Sequence, residues 1–326
     1  MKIALVGPGI IPIPPPGWGG VEVLVWDYFK ELELQGHAVT IVNIIGTGHG
    51  DPSSNYIRNL IETINSVSYD FVHIHYDVLH HIIPYLTAHR IAITSHYPNL
   101  GDFEKHASDN YESIFRGICN NTRHYIFAPS KRDRDLFARY CVDPSRVALI
   151  LNSTDHRAID PVPTPENAHK SINVGKVEWR KQQHRYYVVP GIDFYGKCDN
   201  NFKFQPCYKG EPSRDDLLKL LPTYGNLVHL SASENATPLV VKEALMAGLP
   251  IVTNKWSMAD LEPNLPFIDV IPDDKLDDMT YIENVIRVNL TNQSLKDDIR
   301  RYAYENFSTE KVISKYISEV ANMQVN

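Results

Sequence analysis

No apolar run in this sequence approaches the length of a membrane span, so an integral membrane protein is not expected. Residues 1–9 hold one lysine and a short apolar run ending in Pro8 and Gly9. They lack the longer apolar core and small-residue cleavage site of a secretion signal, so a soluble, cytoplasmic protein is expected. Cysteine is scarce, with four in the chain (Cys119, Cys141, Cys198 and Cys207) and none spaced as CxxC. That argues against a zinc ribbon or a redox pair and suits free thiols in a reducing compartment. A basic excess is also missing. The 32 Lys and Arg against 39 Asp and Glu leave a net charge of −7, which argues against a dedicated nucleic-acid binder. The first glycine loop does not complete a dinucleotide fingerprint: Gly7 and Gly9 fit GxGxxG, but Pro12 stands at the third glycine, so no NAD site is expected.

What the chain does have is length and alternation. Its 326 residues suffice for two cores, and 43% apolar with 22% charged residues is ordinary for a globular protein. Lys2 to Val6 reads as a strand, followed by a Gly/Pro-rich loop to Gly20. Val21, Leu24, Tyr28 and Leu32 then recur at helical spacing, and Gly36 suits a helix C-terminus. A further strand runs from His37 to Ile45. The alternation continues through strands at 71–75, 91–95, 124–128 and 147–151 and helices at 57–66, 78–88 and after Ser130, whose helix has capping-box spacing with Asp133. The stretch from His156 to Lys170 carries three prolines and no apolar period, and is expected to be a linker. Beyond it the pattern restarts, with strands at 172–174, 187–190, 202–204, 227–230 and 250–253. Helices are expected at 214–221, 238–247, 280–289, 295–305 and 309–320. Two runs of alternating strand and helix imply an α/β chain of two Rossmann-like, doubly wound parallel-sheet domains, whose facing strand ends would form a cleft.

Three stretches carry chemistry. Gly17, Gly19 and Gly20 lie just before a helix, where side-chain-free amides and a helix N-terminus suit a phosphate. In NVGKVEWRKQ, Lys176 and Lys181 flank a loop after a strand, with Arg180 beside them. Cations there can neutralise a diphosphate leaving group. In SASENATPLVVKEALMAGLPIVTN, a small-residue loop carries Glu234 and a helix begins near Pro238. Glu243 inside that helix can chelate vicinal ribose hydroxyls, and the amides of 236–239 would point at an anion. His73, His75, His80 and His81 with Asp77 suggest a metal, but the required ligand geometry is not evident and no metal site is expected.

In this order the residues resemble the GT-B glycosyltransferases of family GT4, the retaining group, over nearly the whole chain. MKIALVGPG, PPPGWGGVE and LELQGHAVTIV look like that family's opening strand, glycine loop and GHxVT strand. YDFVHIHYD, ITSH ending at His96, IFAPSKRDRDLF and ILNSTD resemble successive strand ends. GKVEWRK resembles G-R-L-x-x-x-K with Lys176 for Arg, the stretch 231–254 matches the family's E-x7-E region, and ENFSTEKV resembles its closing motif. The resemblance implies an acceptor domain at 1–160, a nucleotide-sugar donor domain at 161–308, and a final helix at 309–326 crossing back onto the first. It implies a hexosyltransferase using a nucleotide-diphosphate sugar, UDP-glucose being the best guess, on a glycan, lipid or small-molecule hydroxyl. Neither a cofactor nor a metal is expected. Lys176 and Lys181 would hold the diphosphate, Glu243 the ribose, and Glu234 or Asn235 the sugar hydroxyls. The backbone at Tyr208 and Lys209 would meet the base, and Ala236, Thr237 and Leu239 would line the donor. Gly19, Gly20 and His96 would complete the site from the first domain. Lys176, Lys181, His96 and Glu234 are thus the expected catalytic set. The sequence departs from the pattern at the acid: the family spaces its two glutamates eight apart, which from Glu243 gives Asn235, with Glu234 one residue earlier. A sugar-nucleotide epimerase and a catalytically idle sugar-nucleotide binder are the alternatives.

Overall fold

The computed structural model describes residues 1–160 and 165–324. The chain divides into two compact units. Unit 1 is Met1–Asn152 with the chain from Thr309 onward, and unit 2 is Ser153–Ser308.

Unit 1 runs β1 (Lys2–Val6), α1 (Gly20–Leu34), β2 (Ala38–Val42), α2 (Asn55–Asn65), β3 (Phe71–Ile74), β4 (Ile91–Ile93), α3 (Phe103–Ser108), α4 (Glu112–Cys119), β5 (Tyr125–Ala128), α5 (Lys131–Tyr140) and β6 (Val147–Leu149). Unit 2 runs β7 (Asn167–Val174), α6 (Gln183–Tyr186), β8 (Ile192–Tyr195), β9 (Tyr208–Gly210), α7 (Arg214–Leu220), β10 (Tyr224–His229), α8 (Leu239–Ala247), β11 (Ile251–Asn254), β12 (Ile268–Ile271), α9 (Met279–Asn289) and α10 (Lys296–Phe307). The closing helix, α11 (Thr309–Asn322), belongs to unit 1.

The sheet of unit 1 has the order β2-β1-β3-β4-β5-β6, and every pair is parallel. Side chains alternate across it. Ala4, Val6, Val72, Ile74, Ile91 and Ile93 pack on one face against Ile57, Leu60 and Ile64 of α2. Ile3, Leu5, Phe71 and Phe127 pack on the other, against Leu24 and Tyr28 of α1 and Ile313 and Tyr316 of α11. Burial on both faces explains why these strands read as unbroken apolar runs. Tyr316 also hydrogen-bonds inward: its hydroxyl donates to His73 Nδ1 (3.2 Å), His73 Nε2 meets Thr94 Oγ1 (2.9 Å), and Thr94 donates to the Phe127 carbonyl.

The sheet of unit 2 has the order β12-β11-β10-β7-β8-β9, again all parallel. Strand order reverses between β7 and β10. At such a point the loops leaving two adjacent strands diverge to opposite sides and leave a crevice at the carboxyl ends. α8 has every residue from Val241 to Ala247 buried, including Lys242 and Glu243.

Several elements differ from expectation. The segment at 78–88 is a 3-10 stretch, Asp77–Tyr85, with Pro84 inside it. Proline lacks the N–H an α-helix needs there. The run at 187–190 is not a strand but the exit from α6, and the strand is β8, beyond the turn at Gly191. Residues 202–204 form a 3-10 turn, with Asn200 Oδ1 accepting from the Phe202 amide. A short apolar run does not by itself separate strand from turn. The expected linker at 156–170 ends by Asn167, where β7 begins, and residues 161–164 lie outside those described.

Candidate functional site

The two loops at the reversal in unit 2 are those the sequence singles out. Gly175 to Lys181 follows β7, and Leu230 to Pro238 follows β10. They are tied together: the Ala232 amide donates to the Arg180 carbonyl (2.7 Å), and Ser231 Oγ donates to the same oxygen (3.1 Å). The start of the first loop is held by a close backbone approach. Gly196, at φ +135°, lies where a Cβ would sit 2.1 Å from the Gly175 carbonyl oxygen, so only glycine fits.

Glu234 is the centre of the site. Its side chain is 9% exposed. Oε2 lies 3.1 Å from Arg180 Nη1, and Oε1 accepts from Lys181 Nζ, whose side chain is 13% exposed. His229, the last residue of β10, approaches Oε1 with Nε2 at 3.4 Å. Burial alone would raise the Glu234 carboxyl. Lys181, the His229 hydrogen bond and Arg180 outweigh it and hold the carboxyl well below the usual range. On Lys181 the balance runs the other way, because burial lowers its pKa more than Glu234 raises it. The pair is therefore a true ion pair whose cation is held at a desolvation cost. Glu178 extends the array. It lies 3.0 Å from Arg180 and 3.7 Å from Lys176, which remains half exposed. Charges alternate from Lys176 through Glu178, Arg180 and Glu234 to Lys181.

Behind Glu234 the loop is clamped from α8 and from the turn after β11. Asp260 Oδ2 accepts from Lys242 Nζ (3.0 Å) and from the Thr237 amide (3.1 Å). Thr237 Oγ1 accepts from the Asp260 amide (3.1 Å) and donates to the Ser257 carbonyl (3.0 Å). Of the amides at 236–239 expected to face an anion, that of Thr237 is taken by the protein's own Asp260. Glu243 is not a surface residue: its side chain is 2% exposed, with Arg214 Nη2 2.5 Å from Oε1. Ala236 is buried, and Asn235 and Leu239 are half-buried.

The remaining expected residues stand on other elements. Tyr208 and Lys209 stand on edge strand β9. The Tyr208 hydroxyl donates to the Gly196 carbonyl, and Lys209 Nζ donates to the Pro206 carbonyl and lies 3.6 Å from Asp193. In unit 1, Gly19 is the N-cap of α1 and Gly20 its first residue. A Cβ on Gly19 would meet Glu22 Oε2 at 2.7 Å. The buried Glu22, whose carboxyl is raised by burial, thus already supplies a carboxylate at that helix start. His96 follows β4, stacks on His75 at 6.0 Å and has Nε2 buried without a partner; burial pushes it down to about 4. His73 and His75 are buried on β3 and at its end, their rings 3.8 Å apart, and burial holds both neutral. Among the described residues, no group of three or more His, Cys, Asp or Glu is arranged to hold a metal ion, and no helix is long and apolar enough to cross a membrane.

Sequence reasoning missed His229, Arg214 and the Lys242–Asp260 pair. Lys242 lies in VVKEAL, where an apolar helix with one lysine reads as surface. The wholly apolar surround, from Val240 to Ala247 but for Lys242 and Glu243, was the signal that α8 is buried on all sides.

No family model matches the chain, and no curated protein matches it. Solved structures do. HepE of Anabaena, determined with UDP and glucose, is 14% identical with a TM-score of 0.74, covering 99% of this chain and 100% of its own. Sucrose-phosphate synthase of Thermosynechococcus elongatus is 14% identical with a TM-score of 0.75, covering 98% of each chain. WaaG, a glycosyltransferase involved in lipopolysaccharide biosynthesis, is 16% identical with a TM-score of 0.69, covering 98% of this chain and 100% of its own. At these identities the likeness is one of fold. The chain has the GT-B fold of these glycosyltransferases, built from two doubly wound parallel sheets.

Proposed function

We propose that the chain is a hexosyltransferase that takes a sugar from a nucleotide-diphosphate sugar, UDP-glucose as the first candidate, to a hydroxyl acceptor with retention at the anomeric carbon. The observation that carries this reading is the ionised Glu234, held between Lys181 and Arg180 at the strand-order reversal of unit 2. Open parallel sheets bind ligands at that point. Solved structures of the same fold include HepE in complex with UDP-glucose.

In this reading Arg180 and Lys181 meet the diphosphate as the sugar–phosphate bond breaks and charge grows on the departing oxygen. Pre-positioned cations stabilise that charge without reorganising. Lys176, half exposed at the loop start, reaches the same group. Glu234 turns from its cations toward the sugar hydroxyls, where a carboxylate accepts charge-assisted hydrogen bonds. Glu243 takes the ribose hydroxyls once Arg214 gives way. The base lies along the backbone of Tyr208 and Lys209. The departing phosphate takes the acceptor proton on the face from which it leaves, so the protein's share is positioning and charge stabilisation. The roles expected of Gly19, Gly20, His96, Asn235, Ala236 and Leu239 belong to the same proposal.

The test is a thermal-shift panel of UDP, GDP and ADP with their glucose and mannose conjugates. A ligand present at 100 times its Kd stabilises by about 2.7 kcal/mol. The donor should raise Tm, and proton NMR of the product should show the donor's anomeric configuration kept. A panel without any shift contradicts the reading. A free sugar nucleotide with altered sugar stereochemistry would identify an epimerase.

A further inference from the structure

Next to the Lys181–Glu234 array lies a feature that the donor reading leaves unused. Trp179 precedes Arg180 in the loop after β7, and its side chain is 76% exposed, the most exposed large apolar group among the described residues. It is not loose. Its ring lies on the His184 imidazole, with centroids 4.1 Å apart and planes 16° from parallel. His184 is fixed by α6, and burial together with Arg185 lowers its pKa, so the stack is between two neutral rings. The loop beneath is fastened by Gln183, whose Nε2 donates to the Lys176 carbonyl (3.0 Å).

These rings form one wall of a groove of about 530 Å³, a volume in the range of small-molecule sites. Tyr187 and Phe202 form its aromatic floor, packed edge to face at 5.7 Å. Asn200, Asn201 and Gln205 bring side-chain amides, and Glu178 brings the one carboxylate. No lysine or arginine lines it. That composition is selective. With its one carboxylate already paired to Arg180 and no lysine or arginine in its lining, the groove offers no free cation to a phosphate. Amides around flat aromatic faces suit a neutral ligand with one apolar face and a rim of hydroxyls. Glu178 also fixes where the groove leads, since it pairs with Arg180, which pairs with Glu234. One side of the groove therefore adjoins the charged array given to the donor sugar, while the other, at Phe202 and Gln205, adjoins Tyr208 at the start of β9.

We propose that this groove binds a neutral hexopyranose ring of a saccharide acceptor, its C–H face on the Trp179 indole and its hydroxyls toward Asn201, Gln205 and Glu178. The proposal rests on the transferase reading, and it narrows the acceptor to a glycan or glycoside.

Saturation-transfer difference NMR with maltose, cellobiose and diacetylchitobiose as probes tests it on the wild-type chain, Trp179→Ala and Trp179→Phe. At least one disaccharide should receive saturation at its ring C–H protons. Its affinity should fall about tenfold in Trp179→Ala, which is about 1.4 kcal/mol, and should largely return in Trp179→Phe. Circular dichroism checks that both variants fold, as an exposed side chain implies. No transfer to any of the three probes, or equal transfer in Trp179→Ala, overturns the proposal. Trp179-dependent transfer to uridine instead overturns it in favour of a base pocket. UDP binding by the wild-type protein, measured in parallel, reports on the donor reading by itself. UDP binding without disaccharide binding rejects only the groove.

Discussion

Arg180 and Glu234 are joined at 3.1 Å across the two loops that leave the central strands of unit 2, while Lys181, the next residue, holds the other oxygen of the same carboxylate. One acid thus holds two neighbouring cations in place. This arrangement bears on the choice between Glu234 and its neighbour Asn235. Asn235 has the spacing from Glu243 expected of the sugar-contacting residue, but Glu234 is the one drawn into the charged array. Glu234→Gln should weaken binding of the sugar nucleotide more than binding of the free nucleotide, because the lost contact is to the sugar. Asn235→Ala should change the two alike. Calorimetry with UDP-glucose and UDP makes the comparison, and loss of discrimination in the Asn235 variant alone would reverse the assignment.

The buried Lys242–Asp260 pair fixes the loop that presents Glu234. Removing one partner of a buried ion pair leaves an uncompensated charge, so Lys242→Met should cost about 3–5 kcal/mol. Asp260→Asn added to it removes that charge and keeps an acceptor for the Thr237 amide. The double variant should recover much of the loss in urea unfolding. A double variant no more stable than the single one would mean that Lys242 acts chiefly through its packing over Phe307, 4.8 Å from the ring centre.

Acid should destabilise the protein in two windows. Burial holds His96 and His124 down to about 4, against 6.5 for a free imidazole, and also holds His73 and His75 well below that ordinary value. The unfolded chain takes up those protons first, so stability is full above about 6.5 and falls as pH drops toward 4. Glu234 acts further down. Its depressed carboxyl contributes above the ordinary 4.5, and that contribution is lost only in stronger acid. His124 is buried, so His124→Phe should flatten the slope of Tm between pH 6.5 and 4. An unchanged slope would show that this histidine is protonated in the fold.

Truncation before Thr309 should strongly lower the Tm. It removes Val312, Ile313, Tyr316 and Val320 from the face of the unit 1 sheet and leaves His73 without the Tyr316 hydroxyl. Burying an apolar side chain of this size contributes about 1.5–3 kcal/mol. A truncated chain with the wild-type Tm would mean that the face is covered in another way.

The alternation of strands and helices was legible because both sheets are parallel and covered on both faces, which leaves runs such as IALV and FVHI apolar but for His73. The stretch from Tyr186 to Phe204 was not. It holds three short apolar or aromatic clusters, at 186–189, 192–195 and 202–204, and only the turns at Gly191 and Asn200 decide that one piece is a helix exit, one a strand and one a 3-10 turn. The basic loop after β7 and the acid after β10 could be named from residue type and order. Their pairing could not, since it depends on two loops 53 residues apart meeting at one strand reversal. Lys242 and Asp260 were unreadable for the same reason, as nothing in either local sequence announces a partner 18 residues away.

The most direct test of the donor site is UDP release from UDP-glucose by the wild-type chain and by Lys181→Ala. The cation is assigned to the leaving diphosphate, so its loss should cost about 2–4 kcal/mol of transition-state stabilisation, roughly a 30- to 1,000-fold slower release. The variant must first be shown to fold by circular dichroism, because it also strands the buried Glu234. Slow but measurable release by the wild type and loss of it in the folded variant is the predicted result. A folded Lys181→Ala that releases UDP at the wild-type rate would contradict the account and leave Lys181 as no more than the structural partner of Glu234.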